Sequence, residues 1–387
     1  MHILKGHIII LSACALAVFS CKEKPVVVRD TIPYVKQVAG DSLGTRLFDL
    51  VEDFDEACAS GAIAVVGEPE QGTLLSRLLM SFDRFDNVDG HCGGDGLPDF
   101  SGEEIGVYLD EYNAPYDNII RSGRTDYLRE VAVRSFLAAL DTACRVSPFD
   151  PDNLIRKAPA KVVILSSTAM SAYGLFDIDT LCRMAGRSVP VISPVHTAVG
   201  KVLPEDGSPI NIGVWADSSV AAARVYEEVF DEIYKPSKGL KSTLAVITPD
   251  DGADVGDRFM RFLQIYKETY PDKQLQALLI DDFGVNMTEL SARLEEIRKE
   301  DSYEMMNYSK VLAPDFRFVY VMDAVAERCF RLMRERSLFT HHVAYPSIHF
   351  YQTVDDGLED ENPYTVIDFN KRYLSDDTIQ FIENVQN

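Results

Sequence analysis

Between Ser242 and Asp282 the spacing of apolar residues changes twice. Thr243-Leu244-Ala245-Val246-Ile247-Thr248 is a short, β-branched run that breaks at Pro249-Asp250-Asp251-Gly252. Val255, Phe259, Leu263, Tyr266 and Tyr270 then recur at spacings of three and four, the stripe of an amphipathic helix. Ala277-Leu278-Leu279-Ile280 follows and ends in Asp281-Asp282. Two apolar runs around such a helix predict a βαβ unit, and βαβ units require a parallel sheet covered on both faces.

The same alternation runs through most of the chain. Strands are predicted at 62–67, 104–110, 161–166, 189–193, 211–216, 316–322 and 342–345. Helices are predicted over 43–59, after Thr73, after Thr125 with a stripe reaching Cys144, after Ser218 or Ser219, and after Asn286, where Glu289 completes a capping box. Residues 22–42, with Pro25, Pro33 and Gly40-Asp41-Ser42, read as a tether. The segment 83–104, DRFDNVDGHCGGDGLPDFSGEE, is too rich in glycine and acid for an element and is predicted to be a long functional loop. Lys235-Pro236-Ser237-Lys238-Gly239 is the clearest linker, with a hinge expected at 236–240.

Composition narrows the function. The chain has 387 residues, 46% of them apolar, which suffices for two domains with full cores. Its 61 acidic against 38 basic residues give a formal charge of −23, which argues against a nucleic-acid partner and against polyanionic substrates. At the N-terminus Lys5, the apolar run from Ile8 to Phe19, and Ser20 before Cys21 have the order of an export signal. Val18-Phe19-Ser20-Cys21 resembles the lipobox of bacterial lipoproteins, which implies lipid on Cys21; an ordinary cleaved signal or a short anchor helix is the alternative. Cys58, Cys92, Cys144, Cys182 and Cys329 are odd in number, widely spaced and without a CxxC, so neither a zinc site nor a disulfide framework is indicated.

Ligands of open α/β sheets sit at the carboxyl ends of the strands. That rule selects Glu68, Asp110, Ser166, Ser167, Thr168, Ser193, His196, Asp217, Thr248, Asp250, Asp251, Asp282 and Asp323. Hydroxyls and acids of this kind hold a small polar solute, or simply cap helices. Trp215, inside an apolar strand, reads as core. The loop at 68–72 has neither GxGxxG nor GxxxxGK[ST], and its two carboxylates would repel phosphate. GxSxG, SxxK and HExxH are also missing. In the 83–104 loop, Asp86, Asp89, Asp95, Asp99 and Glu103 could ligate calcium and His91 could act as a base, without EF-hand spacing.

The run LAVITPDD, the helix after it, the strand ending LLIDD, and PVIS followed by NIGVWADSSVAAARVYEEVFDEI and a linker resemble type I periplasmic solute-binding proteins. That resemblance implies two doubly wound parallel-sheet lobes joined by a hinge. On it, residues 1–20 would be the signal peptide, 21–42 the lipid-anchored tether, 43–238 the first lobe and 239–387 the second. The stretch before the linker is longer than that family's pattern. A second resemblance is to the aspartate/glutamate racemase-like fold, which pairs two small α/β lobes and implies a thiol from each at strand ends. Here the matching strand end reads Leu165-Ser166-Ser167-Thr168, without that thiol.

The expectation is therefore a binding protein rather than an enzyme, without metal or cofactor, anchored through Cys21 in the envelope of a Gram-negative bacterium. It would grip a small polar solute between lobes through Ser166, Ser167, Thr168, Ser193, Asp217, Thr248, Asp250 and Asp323, and could hand it to a transporter. The alternative is an exported hydrolase acting through the 83–104 loop with a divalent cation.

Overall fold

Alternate residues of a strand point to opposite faces, so a strand apolar at every position must be covered twice. Ala62–Gly67, β1 of the computed structural model, is buried throughout: Ile63 and Val65 enter one core, Ala64 and Val66 another. The structure describes residues 30–40, 42, 46–147, 149–234, 241–249, 254–340, 342, 344–353 and 364–366.

The chain begins with two short helices, α1 (Pro33–Ala39) and α2 (Asp49–Glu52), then β1, α3 (Pro69–Ser81), β2 (Glu104–Leu109), α4 (Tyr116–Arg121) and α5 (Thr125–Leu140). A hairpin, β3 (Ala143–Ser147) and β4 (Asp150–Arg156), precedes β5 (Ala160–Leu165), α6 (Thr168–Met184), β6 (Val191–Ile192) and α7 (Pro194–Val202). Next come β7 (Asn211–Ala216), α8 (Ser218–Ala223), α9 (Val225–Ile233), β8 (Thr243–Ile247), α10 (Val255–Thr269) and β9 (Leu275–Asp281). The chain continues through α11 (Met287–Lys299), α12 (Tyr303–Ser309), β10 (Leu312–Tyr320), α13 (Val321–Glu335), β11 (Ser347–Thr353) and β12 (Tyr364–Val366).

The strands form two sheets. Sheet 1 has the order β4-β3-β12-β11-β2-β1-β5-β6 and a parallel centre from β11 to β6. Sheet 2, in the order β10-β9-β7-β8, is parallel throughout. The βαβ unit predicted at 242–282 is present as β8, α10 and β9, with β7 between its two strands. The α/β class with parallel sheets is thus established.

The two sheets pack together, and the described residues from 31 onward form one compact unit. Helix α13 accounts for this, because Val325, Cys329 and Phe330 pack in the core of sheet 1 while Val321 and Ala324 pack in that of sheet 2. The chain leaves sheet 1 after β6 and returns to it with β11, so the boundary expected at 238/239 falls between β7 and β8 of the same sheet. The hinge expected at 236–240 lies within the residues that are not described.

Several local expectations also change. The tether contains α1, whose Tyr34, Val35 and Val38 are buried against the sheet 1 core. Of the helix predicted over 43–59, the described residues are helical only at 49–52. Cys144 belongs to β3, not to the stripe of α5, because Asp141 ends that helix in an extended conformation. The last long strand begins at Ser347 rather than His342. Arg224 interrupts the helix after β7 in a left-handed conformation, with φ of 55°.

Candidate functional site

Sheet 1 and sheet 2 meet at the carboxyl ends of β5 and β9. Gly67 ends β1 at φ +152°, and a Cβ there would lie 2.5 Å from the Ser166 hydroxyl oxygen, so the absence of a side chain lets β1 and β5 close together. Ser166 is used in that closure, donating to the Val66 carbonyl at 3.1 Å. Ser167 caps α6 by accepting the Met170 N–H and donates its hydroxyl to Glu68 Oε2 at 3.1 Å. Thr168, the first residue of α6, donates across to Asp281 at the end of β9, 2.8 Å from one carboxyl oxygen and 3.1 Å from the other. Consecutive hydroxyls thus contact one carboxyl from each sheet.

The environment of these acids disfavours their charge. Asp281 is 3% exposed, and burial pushes it up to about 6; the Thr168 hydroxyl opposes the shift, while Asp217 and Asp282 add to it. The buried Tyr226 hydroxyl faces the same carboxyl but has no partner in full hydrogen-bond geometry. Glu68 is half-buried and also raised, chiefly by desolvation, although it accepts the Tyr116 N–H at 2.9 Å and the Ser167 hydroxyl. Tyr116 extends the network, its hydroxyl donating to Asp110 at 2.9 Å. Asp110 is fully buried and raised by desolvation as well, with Asn113 donating to it. Glu68, Asp110 and Asp281 therefore form a buried acidic network joined through Tyr116, Ser167 and Thr168.

The predicted site residues separate into several places. Ser167 and Thr168 are at the junction, but both are buried and bonded to carboxyls rather than lining an open cleft. Asp217 is exposed and affects Asp281 only through its charge. Thr248 donates to the Ala216 carbonyl at 2.8 Å and fastens the end of β8 to β7. Ser193 caps α7 and bonds His196 Nδ1 at 2.9 Å, away from the junction. Asp323 opens α13, where Arg84 pairs with it and burial raises its pKa. Asp282 holds the sheet 2 end together, accepting from Trp215 Nε1 at 3.1 Å and from Arg258 at 2.7 Å. Asp250, Asp251, Cys21 and the signal segment lie outside the described residues. Sequence reasoning selected Asp282 and passed over Asp281, although the acid pair itself was the available signal. Tyr226 packs its ring in the sheet 2 core.

The 83–104 loop does not form a cation site. Asp83 accepts from the backbone of Asp95 and Gly96, Asp86 from Val88 and Asp89, Asp95 from Asn87 and Leu97, and Asp99 from Arg84 and Phe85, all within the loop, while Glu103 pairs with Lys161 of β5. Among the described residues no group of three His, Cys, Asp or Glu is placed to hold a metal. Carboxylates engaged in this way shape a loop. The hydrolase alternative has no constellation there.

No family model matches this chain, and no curated protein matches it. Among solved structures it is similar to glutamate racemase from Bacillus anthracis, at 14% identity and TM-score 0.45, over 76% of this chain and 89% of that one. Glutamate racemase from Francisella tularensis, in complex with D-glutamate, is similar at 16% identity and TM-score 0.43, covering 77% and 89%. The enzyme from Thermus thermophilus is similar at 13% identity and TM-score 0.43, covering 77% and 90%. The type I resemblance and the binding-protein expectation built on it are not borne out: the similar structures are glutamate racemases, and at this level of similarity they fix no activity. The buried thiols Cys144 and Cys182 are pushed up to about 11 and about 12 by desolvation, and Cys329 is raised further by the same cause. None of the three bonds to the junction network.

Proposed function

We propose that this chain is an enzyme that moves a proton on a small polar substrate at the junction of the two sheets, with Asp281 and Glu68 as the acid–base pair. The observation that carries this reading is the bonding of adjacent Ser167 and Thr168 to two carboxyls that come from different sheets and are both raised by burial. Asp281, raised to about 6, can give or take a proton near physiological pH, Glu68 is raised by the same desolvation, and environments that shift such groups are found at acid–base sites. One carboxylate accepts the substrate proton while the other carboxyl delivers one, so the enzyme ends with the protons it started with. Asp217 is exposed and raises Asp281 further through its charge.

The test is hydrogen exchange in heavy water, followed by NMR, on a panel of amino and hydroxy acids incubated with the purified protein. Incorporation of deuterium at carbon, lost in Asp281→Asn and in Glu68→Gln, is the expected result. Exchange that survives both substitutions, or a panel with no exchange at any carbon, rejects the assignment.

A further inference from the structure

A cavity of about 560 Å³ opens between β6 of sheet 1 and the helices α7 and α13, and neither Glu68, Thr168 nor Asp281 lines it. Its volume lies in the range of small-molecule sites. Leu175, Val191, Ile192 and Leu332 supply an apolar wall. The charged lining is Lys201, Arg328 and Arg331 against Glu327, a local excess of cations in a chain whose net charge is −23.

The side-chain pairing leaves that excess on one helix. Lys201 bonds Glu327 across the cavity, so the two cancel. Arg328 meets Glu335 at 3.2 Å with both side chains in water, a pair that contributes little and yields easily to a ligand. Arg331 stacks over the Phe85 ring at 5.0 Å, which fixes its plane without neutralising it. Three residues apart on α13, these guanidiniums lie on one face, and Ser193 and Thr197 of α7 add hydroxyls to the same cavity.

We propose that this cavity binds a small organic anion, with an apolar body against the β6 wall and a carboxylate or phosphate group between Arg328 and Arg331. Guanidinium groups suit both anions, because each presents paired oxygens to the planar fork. Helix α7 leads the chain out of sheet 1 and α13 leads it back, so an occupant touches both connections between the sheets.

Calorimetric titration of the full chain with benzoate and with phenyl phosphate tests the site, with benzyl alcohol as the uncharged control. At least one anion should bind in the millimolar range or tighter, and the alcohol at least about tenfold more weakly. The stronger of the two anions identifies the acid group. Arg328→Gln combined with Arg331→Gln should cost about tenfold or more in affinity; both positions are exposed, so folding is little affected. Gly200→Leu should abolish binding, because Gly200 lines the cavity and a Cβ there meets nothing within 4 Å. Asp281→Asn should leave binding unchanged, which separates this site from the junction. Equal binding of alcohol and anions, unchanged affinity in the arginine variant, loss of binding in Asp281→Asn, or no heat from either anion would overturn the proposal.

Discussion

Thr168 and Asp281 are 113 positions apart in the chain and share a hydrogen bond that joins the end of β5 to the end of β9. The bond is buried, its acceptor is a carboxyl raised to about 6, and it lies where the two sheets meet. It therefore serves both stability and the proposed chemistry.

Replacing Thr168 by Val keeps the shape of the side chain and removes the donor. The Asp281 carboxyl then loses a partner that favours its charged form, so its pKa should rise further. A stability loss of about 1–3 kcal/mol is expected at pH 8, where the carboxylate is left without its donor. The loss should be smaller at pH 5, where the group is protonated. Urea denaturation at the two pH values measures both; equal losses would separate the bond from the ionised carboxyl.

Asp281→Asn tests the same carboxyl from the other side. A carboxyl raised in the folded state stabilises the fold below its unfolded pKa, and that contribution is lost as pH rises through the folded value. Here the window runs from the ordinary carboxylate range, about 4, up to about 6. Asparagine does not titrate, so between pH 4 and pH 8 its stability relative to the parent should improve by about 1–3 kcal/mol. Thermal melting across that interval checks it, and a difference independent of pH would show that Asp281 does not carry the shift.

If Asp281 acts as the base, the rate of proton exchange should rise with pH through about 6 as its carboxyl ionises. A pH–rate profile measured on any substrate found in the heavy-water assay shows the limb. A profile flat between pH 5 and pH 7 assigns the base elsewhere.

Lys161 and Glu103 form an ion pair with side-chain exposures of 1% and 0%. The ammonium also donates to the Ala59 and Leu338 carbonyls at 2.7 and 2.8 Å, and Glu103 accepts the Thr340 N–H at 2.8 Å. Lys161→Met should cost about 3–5 kcal/mol, because it leaves an uncompensated buried carboxylate. Adding Glu103→Leu should recover much of that loss. A double variant no more stable than the single one in urea would show that the bonds to backbone, not the charges, hold this region together.

Gly174 lets α6 approach α5 closely. A Cβ at that position would lie 2.2 Å from the Ala132 Cβ. Gly174→Ala should destabilise by about 1–3 kcal/mol despite the better helix propensity of alanine, since two packed helices must separate. A melting temperature equal to or above that of the parent would show that the helices shift at no cost.

Local pattern was sufficient for most of the elements. The runs at 62–67 and 211–216 are strands with those bounds, and Asn286 caps α11 by accepting from Thr288 and Glu289, because strand alternation and capping are decided by residues within a few positions of one another. The hairpin of β3 and β4 escaped notice because Asp150-Pro151-Asp152-Asn153 opens it with residues that favour turns. Ser167, Thr168 and Glu68 were recognisable as polar residues at strand ends, but the pairing of Ser167 with Glu68 and of Thr168 with Asp281 was not, the partners being 99 and 113 positions distant.

What the sequence by itself determined was therefore the α/β class, the βαβ unit of β8, α10 and β9, and most of the strand-end acids and hydroxyls. Only the tertiary structure decided which of those groups meet. Whether a strand-end acid is a solvated cap or a buried acid–base group depends on what packs over it, and at Asp281 the cover comes from α6 of the other sheet. The same holds for α13, whose apolar positions divide between two cores. Periodicity specifies which side of a helix is buried and carries no information about how many partners bury it, so the joining of the two sheets into one body was settled by packing alone.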